Sequence, residues 1–354
     1  MLGIVGKNGS ENMRRARVFS LGLRFHRVMK GLPDLLLSYG PSLGGQVPDV
    51  CIGWGRKPSG AAARRYASCH KADLMLVEDG FIRSGGREDP PISLVIDDRG
   101  IYYDANEASR LETLVKRPLD AARRSRAEQI RQAWVAECVS KYNAGRSLRV
   151  DLPDDYVLVV DQVAGDHSIS YGRASELEFE AMLSAALREN PGSQIILKTH
   201  PDRSTRGRRG HFDLTKLARH PRVTVIVEPS HPVSLIRGAK SVYVVTSQMG
   251  FEALLHGRPV RCFGMPFYAG WGLTSDEMEA PVRRSKIDLE ALVYAALVDY
   301  SVYVDPITGS SAPRATISSR VMAPVFTMAR NSSRCVRTAA MRSNKVSYAS
   351  VSNM

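Results

Sequence analysis

From Tyr156 onward the chain alternates between unbroken apolar runs and stretches with helical spacing. YVLVVDQ (156–162), SQIILKTHPD (193–202), VTVIVEPSHP (223–232), SVYVVTS (241–247) and PVRCFG (259–264) predict buried strands. Between them, SELEFEAMLSAALREN (175–190), PVSLIRGA (232–239) and MGFEALLHG (249–257) predict helices, the last ended by Gly257. Strands alternating with helices of this length imply βαβ units and a parallel sheet. Such a sheet places ligands beyond the carboxyl ends of its strands. Four of those ends are polar: Asp161-Gln162, Thr199-His200-Pro201, Glu228-Pro229-Ser230-His231 and Thr246-Ser247. Their coincidence is the strongest pattern-level sign of a site.

The first half has a less regular rhythm. VPDVCIGWG (47–55) and DLMLVEDGFIRSG (73–85) predict strands, the second running into a loop, with a helix over 59–72 between them. ISLVIDDRGIYYDA (92–105) fits two short strands around Asp98-Arg99-Gly100. SRLETLVKRP (109–118) and the long basic stretch 121–143 have helical periodicity, the latter serving as a link between halves. The fold class expected is α/β, with two Rossmann-like lobes joined by a helix, as in a two-lobed transferase. The divisions are a basic segment over 1–45, a first lobe over 46–145, a nucleotide-binding lobe over 150–311 and an unpacked tail over 312–354.

Charge alters this picture only at the ends. The 354 residues carry a formal net charge of +13. Residues 1–30 hold seven Lys/Arg against one acid, and 312–354 hold seven against none. The remaining body balances 35 basic with 35 acidic residues, which argues against a nucleic-acid-binding face. The basic ends suit an anionic membrane surface. The five cysteines are scattered without metal spacing, no apolar run approaches a membrane span, and the start lacks a hydrophobic signal segment. A cytoplasmic protein, peripheral on the inner membrane, is expected. No GxGxxG or GxxxxGK[ST] is present, so the hydride-transfer and Walker-type readings lose their main signal.

The polar strand ends supply the candidate chemistry. At Thr246-Ser247-Gln248-Met249-Gly250 a strand gives way to a helix, whose unpaired N–H groups suit an anion, with Glu252 one turn inside. Lys198, His200, Glu228, Ser230 and His231 can hydrogen-bond a phosphate, base or ribose without a metal. Glu78 and Asp79 are adjacent carboxylates suited to proton transfer, and Arg83, beside Ser84, can fork onto a substrate carboxylate. A solvated acid pair at a turn explains the same residues. Asp161 and Asp166 both follow the first strand of the second half, and a carboxylate there can attack an anomeric carbon or simply cap a helix. Arg56-Lys57 and the arginines at 203, 206, 208 and 209 add positive charge able to meet an anionic acceptor.

Longer strings narrow the reading. WGRKPS (54–59), EDGFIRS (78–84), PISLVIDDRGIYYDA (91–105), SRLE (109–112), VLVVDQVAGDHSI (157–169) and KTHPD (198–202) occur in order. SVYVVTSQMGFEALLHGRPVRCFGMPFYAGWGLTSDE (241–277) and YVDPITG (303–309) follow. Together they resemble the retaining β-Kdo transferases of the KpsC-like capsule-synthesis family over about 50–310. That resemblance implies a two-lobed, GT-B-like architecture, CMP-β-Kdo as donor, a lipid-linked Kdo acceptor on a phosphatidylglycerol-type lipid, other capsule-assembly proteins as partners, and no cofactor or metal. It implies Asp166 as the residue forming a covalent Kdo adduct, with Asp161 the alternative. Glu78 or Asp79 would handle the acceptor's proton. CMP would lie against His200, Glu228–His231 and Ser247–Gly250, with Glu252 toward ribose. Familiar members carry two modules where this chain has one. The rival readings are a GT-B enzyme using another nucleotide sugar and an inactive capsule-assembly scaffold.

Overall fold

The computed structural model describes residues 13–304, apart from 27, 28, 30, 31, 33, 41–45, 86–88, 90 and 144–150. The expected tail at 312–354 and residues 1–12 lie outside the described residues. Two six-stranded sheets organise the chain. The first contains β1 (Arg14–Val18), β2 (Leu35–Tyr39), β3 (Val50–Trp54), β4 (Asp73–Asp79), β5 (Ser93–Asp97) and β12 (Ser301–Tyr303), in the order β12-β5-β4-β3-β1-β2. Pairing is parallel from β2 through β4 and antiparallel at β4–β5 and β5–β12.

The second sheet contains β6 (Tyr156–Val160), β7 (Gln194–Lys198), β8 (Val223–Ile226), β9 (Val242–Val244), β10 (Val260–Cys262) and β11 (Ser275–Asp276). Its order is β11-β10-β9-β6-β7-β8 and every pairing is parallel. From β6 the chain winds outward through β7 and β8, then returns to β9 on the other side. The switch point between β6 and β9 is where an open α/β sheet forms its crevice. All five residues of β6 are buried, as a strand covered on both faces requires. The fold is therefore α/β with two Rossmann-like lobes, as the apolar pattern predicts.

Four details differ from the sequence expectations. β1 and β2 lie inside residues 1–45, the stretch set apart as a basic segment, and extend the first sheet. β12 returns from the far end of the second lobe to pair with β5. No second strand follows Asp98-Arg99-Gly100. Instead, Asp97 accepts from the backbone N–H groups of Arg99, Gly100 and Arg110 and from the Tyr300 hydroxyl, folding 98–109 into turns. The long basic helix ends at Ala136, and residues 138–143 carry the link onward.

One hydrophobic core runs through both lobes. Phe81, Ile101 and Trp134 of the first share a cluster with Leu158, Phe251, Phe267 and Trp271 of the second. Phe81 and Phe267 have ring centroids 4.7 Å apart. Beside this core, Glu112 accepts from Arg284 Nε at 2.8 Å and Arg283 Nε at 2.6 Å. Glu112 and Arg284 are both buried, so the two guanidiniums supply the neutralisation a buried carboxylate needs.

Candidate functional site

A cleft of about 590 Å³ opens between the lobes at the switch point. Its second-lobe wall follows from local sequence. Each strand exit carries a polar residue that caps the next helix and satisfies an otherwise unpaired N–H. Asp166 accepts from Ser168 N at 2.9 Å, His200 Nδ1 from Asp202 N at 3.1 Å, and Ser247 Oγ from Met249 N at 3.3 Å. Gln162 locks β6 to β9, donating to Thr246 Oγ1 at 3.0 Å and accepting from Thr246 N at 2.9 Å. Ser168 Oγ lies 3.2 Å from the same Thr246 hydroxyl.

Of the residues expected here, Asp161, Asp166, Lys198, His200, Ser230, Ser247, Gln248 and Glu252 line the cleft. Lys198 is buried and donates to the Glu228 carbonyl at 2.7 Å. Burial pulls its pKa down to about 8, with Glu228 acting against the shift. The Ser230 hydroxyl and Glu228 Oε1 are enclosed with no hydrogen-bond partner among the described residues. Glu228 and His231 themselves sit behind the lining. His231 Nδ1 caps the helix Pro232–Ile236 by accepting from Val233 N at 3.4 Å. Burial, aided by Arg237, lowers its pKa to about 4, so the ring is neutral as that acceptor role demands.

The two aspartates after β6 occupy different settings. Asp166 is exposed at the cleft. Asp161 is 1% exposed, and its Oδ1 accepts from Gln162 N at 2.9 Å and His211 N at 3.1 Å, with His211 Nδ1 at 3.2 Å. The His211 ring stacks on Phe179 at 3.6 Å, which fixes it under the carboxylate.

Glu78 comes from the first lobe and faces these groups across the cleft. Trp54 Nε1 donates to its Oε1 at 2.6 Å, and the Lys57 ammonium lies 4.4 Å from the Trp54 ring centroid. A side chain at residue 55 would run into Glu78 and Tyr103, so this turn requires Gly55. Burial raises the Glu78 pKa to about 7, and Asp79 adds to the rise while Lys57 and Lys141 oppose it. A carboxyl poised there can give or take a proton near neutrality.

Five expected site residues have other duties. Asp79 does not line the cleft: Arg83 Nε donates to it at 3.0 Å and His26 Nε2 lies 3.8 Å away. Burial pushes the Asp79 pKa up, but His26, Lys141 and Arg83 outweigh it and hold the group ionised. Arg83 accordingly forks onto Asp79 and the Ser84 hydroxyl rather than into the cleft, and Ser84 is buried. Gly250 accommodates Tyr268, whose hydroxyl and ring occupy the space a Cβ would need. Glu252, expected to reach a ribose, is 1% exposed and accepts from the Ser140 hydroxyl at 2.8 Å and Lys141 N at 3.1 Å. It fastens the inter-lobe link instead. Gln248, while lining the cleft, also donates to the Phe81 carbonyl at 2.7 Å.

Sequence reasoning missed Tyr102, Tyr103, Lys141 and Ser168 in the lining. Only the YYD of 102–104 carried a signal, as paired aromatics beside a turn. Among the described residues, no group of three or more His, Cys, Asp or Glu could hold a metal, and no helix is long and apolar enough to cross a membrane.

Comparison with known proteins bears on this cleft. The model of the capsule polysaccharide biosynthesis protein family matches residues 49–146 and 139–311. A capsule polysaccharide modification protein, LipA of Neisseria meningitidis serogroup B, is 38% identical over 322 residues, covering 85% of this chain and 46% of that protein. The chain thus spans about half the length of the curated relatives it matches. Among solved structures, the β-Kdo 2,4 transferase of Thermosulfurimonas dismutans KpsC superposes with a TM-score of 0.78 at 36% identity, over 86% of this chain and 96% of that one. The β-Kdo 2,7 transferase of the same protein gives 0.65 at 29% identity, over 90% and 98%.

Proposed function

This chain belongs to the capsule polysaccharide biosynthesis family, and from that premise we propose that it is a retaining β-Kdo transferase. The donor is CMP-β-Kdo, and the acceptor is a Kdo-terminated linker on a phosphatidylglycerol-type lipid. The observation that carries the reading is the pairing across one cleft of Asp166, exposed at the β6 exit, with Glu78, whose pKa lies at about 7. The solved Kdo transferases that this chain resembles over most of its length support it.

The donor's phosphate lies at the start of the helix Gln248–Leu255, near Lys198 and His200, where helix N–H groups and positive charge favour an anion. The Asp166 carboxylate attacks the anomeric carbon, the carbon–oxygen bond to CMP breaks, and the electron pair leaves with the phosphate. An acceptor hydroxyl then attacks the same carbon, its proton passes to Glu78, and Asp166 departs as a carboxylate. Two inversions leave the configuration retained. Asp161 is the weaker nucleophile because His211 and Gln162 engage it beneath the surface. The cluster Thr246–Ser168–Gln162 holds the Asp166 loop against β9, which keeps the nucleophile and phosphate site in register. Through its basic ends the protein would sit on an anionic membrane, where its acceptor resides.

Intact-mass analysis tests the chemistry directly. Incubation with CMP-Kdo should release CMP and add one Kdo residue to the protein, mapped by peptide digestion to Asp166. Adduct formation on another carboxylate, or transfer undiminished in Asp166→Ala, would overturn the nucleophile assignment. No CMP release in the presence of a Kdo-terminated lipid would overturn the transfer reading itself.

A further inference from the structure

A bridge between the two walls of the cleft takes no part in the proposed transfer steps. The short helix His167–Tyr171 begins at its cap, Asp166, and carries Ser168 into the cleft lining. At its other end the Tyr171 carbonyl accepts from Ala105 N of the first lobe at 2.9 Å and from Asn106 Nδ2 at 3.4 Å. Arg173 reaches across to the same residues: its Nη2 donates to the Ala105 carbonyl at 3.1 Å and its Nε to Asn106 Oδ1 at 3.3 Å. Within the second lobe the helix end is held by Met265 N, which donates to the Gly172 carbonyl at 2.7 Å. One turn of helix is thus fastened in both directions to one turn of the opposite lobe.

The first-lobe end of the bridge leads to Glu78. The loop 103–107 starts at Tyr103, whose hydroxyl accepts from Arg56 N at 2.9 Å. The two residues before Arg56 hold Glu78: Trp54 donates to it, and a side chain at Gly55 would strike both it and the Tyr103 hydroxyl. Arg56 adds a second tie, pairing with Asp104 at 2.5 Å and lying 5.4 Å over the Tyr171 ring. The lobes do not need Arg173 to stay together. They share a core and the Glu112 pairs, and Arg283 Nη2 also donates to the Ala105 carbonyl, at 2.7 Å. Nor does the backbone call for an arginine. Arg173 stands just past the helix end with φ at 60°, in the left-handed region where glycine is the least costly occupant. Its side chain is what distinguishes it from that glycine, and the side chain spans the seam.

We propose that Arg173 is a positioning residue: by pinning the end of the helix His167–Tyr171 to the loop 103–107, it sets the Asp166 loop in register with Glu78 across the cleft. The proposal rests on the transfer reading. Adduct formation joins Asp166 to a donor whose phosphate lies on the same lobe, so it does not depend on the bridge. Discharge of the adduct does. The acceptor hydroxyl must then stand between the anomeric carbon on Asp166 and the Glu78 carboxylate, two groups mounted on different lobes. Misplacing such mounts by about 1 Å costs up to about 10²-fold in rate.

Single-turnover kinetics of wild type, Arg173→Gly and Arg173→Lys test it. Glycine suits the left-handed backbone, so Arg173→Gly removes the side chain and leaves the helix end its conformation. Adduct formation from CMP-Kdo should stay within about twofold of wild type, while discharge to a Kdo-terminated acceptor slows about 10–100-fold and the adduct accumulates. Arg173→Lys keeps one donor and should recover part of the discharge rate. Equal slowing of both steps, or an unchanged discharge rate, would overturn the inference. Asn106→Ala keeps the test open if Arg173→Gly lowers the urea midpoint, since it removes the same contact from the other lobe. It should slow discharge alone, and the double variant should lose less than the product of the two single factors; independent multiplication would overturn the inference. Hydrogen exchange separates this failure from that of the transfer reading. A wild-type protein that forms no adduct and releases no CMP breaks the transfer reading. Faster exchange of the Ala105 N–H in Arg173→Gly would then leave the bridge standing, and unchanged exchange would overturn it as well.

Discussion

On the second-lobe side of the cleft, each polar group stands at the end of a strand and one step before a helix, so His200, Ser247 and Asp166 each cap the helix they begin. On the first-lobe side, Glu78 depends on partners brought from several elements: Trp54 in β3, Asp79 beside it in β4, and Lys141 beyond the long helix. The first kind of wall is assembled by local backbone needs and repeats at every β-to-α turn. The second exists only after tertiary packing, and its chemistry comes from burial and neighbouring charge. On the proposed reading, anion binding falls to the repeated wall and proton transfer to the packed one.

Glu78→Gln tests that division most severely. If the packed wall supplies the proton acceptor, turnover should fall about 10²–10⁴-fold, the usual range for a lost acid–base group. The pH profile decides whether the loss is chemical. Only ionised Glu78 can accept the acceptor's proton, and its pKa is raised to about 7. Wild-type turnover should therefore climb as pH rises through about 7, and the variant should lose that limb while keeping its donor affinity. An unchanged limb would move the proton acceptor elsewhere.

The same contrast explains what could be read from the sequence. Strands predicted at 156–162, 193–202, 223–232, 241–247 and 259–264 appear as Tyr156–Val160, Gln194–Lys198, Val223–Ile226, Val242–Val244 and Val260–Cys262. Their apolar runs are buried on both faces, so the local signal is strong. The strands at 223 and 241 end early because the polar exit residues turn into helix caps. β1 and β2 carried no comparable signal: RRARV is mostly polar, and β2 is a half-buried edge strand. β12 is three residues long and pairs with a strand some two hundred positions away. The lining of the second-lobe wall was legible for the same local reason. The turning of Arg83 onto Asp79 and of Glu252 onto Ser140 and Lys141 was not, because each depends on a distant element or on which way a loop folds back.

Glu252 sharpens the comparison at the seam between the lobes. Burial raises its pKa from 4.5 to about 7, opposed by the Ser140 hydrogen bond and by Lys141. The native state therefore holds this proton more tightly than the unfolded chain does. The stability it confers is complete below about pH 4.5 and is lost as pH rises through about 7. Glu252→Gln removes the titration while retaining an acceptor for Ser140 and Lys141. Urea denaturation of both proteins between pH 4.5 and 8 should show the variant's pH slope shallower, by a total on the order of 3 kcal/mol across the window. Glu78 contributes in the same direction, so some slope should persist in the variant. Parallel slopes would mean that the seam carboxylate is solvated and does not join the lobes as a buried group.

Ser247 gives the smallest effect and separates two roles that coincide in the repeated wall. Its hydroxyl accepts from Met249 N, so Ser247→Ala should cost about 1 kcal/mol in urea denaturation. Aspartate caps a helix as well as serine, so Ser247→Asp should keep that stability. It also places a negative charge where the donor's phosphate is proposed to lie, and like charges in a cleft repel. The donor KM should therefore rise in Ser247→Asp while the acceptor KM stays near its wild-type value. A stable variant with an unchanged donor KM would show that this helix start is capped for folding alone, and anion binding would pass to the wall's other members, Lys198 and His200.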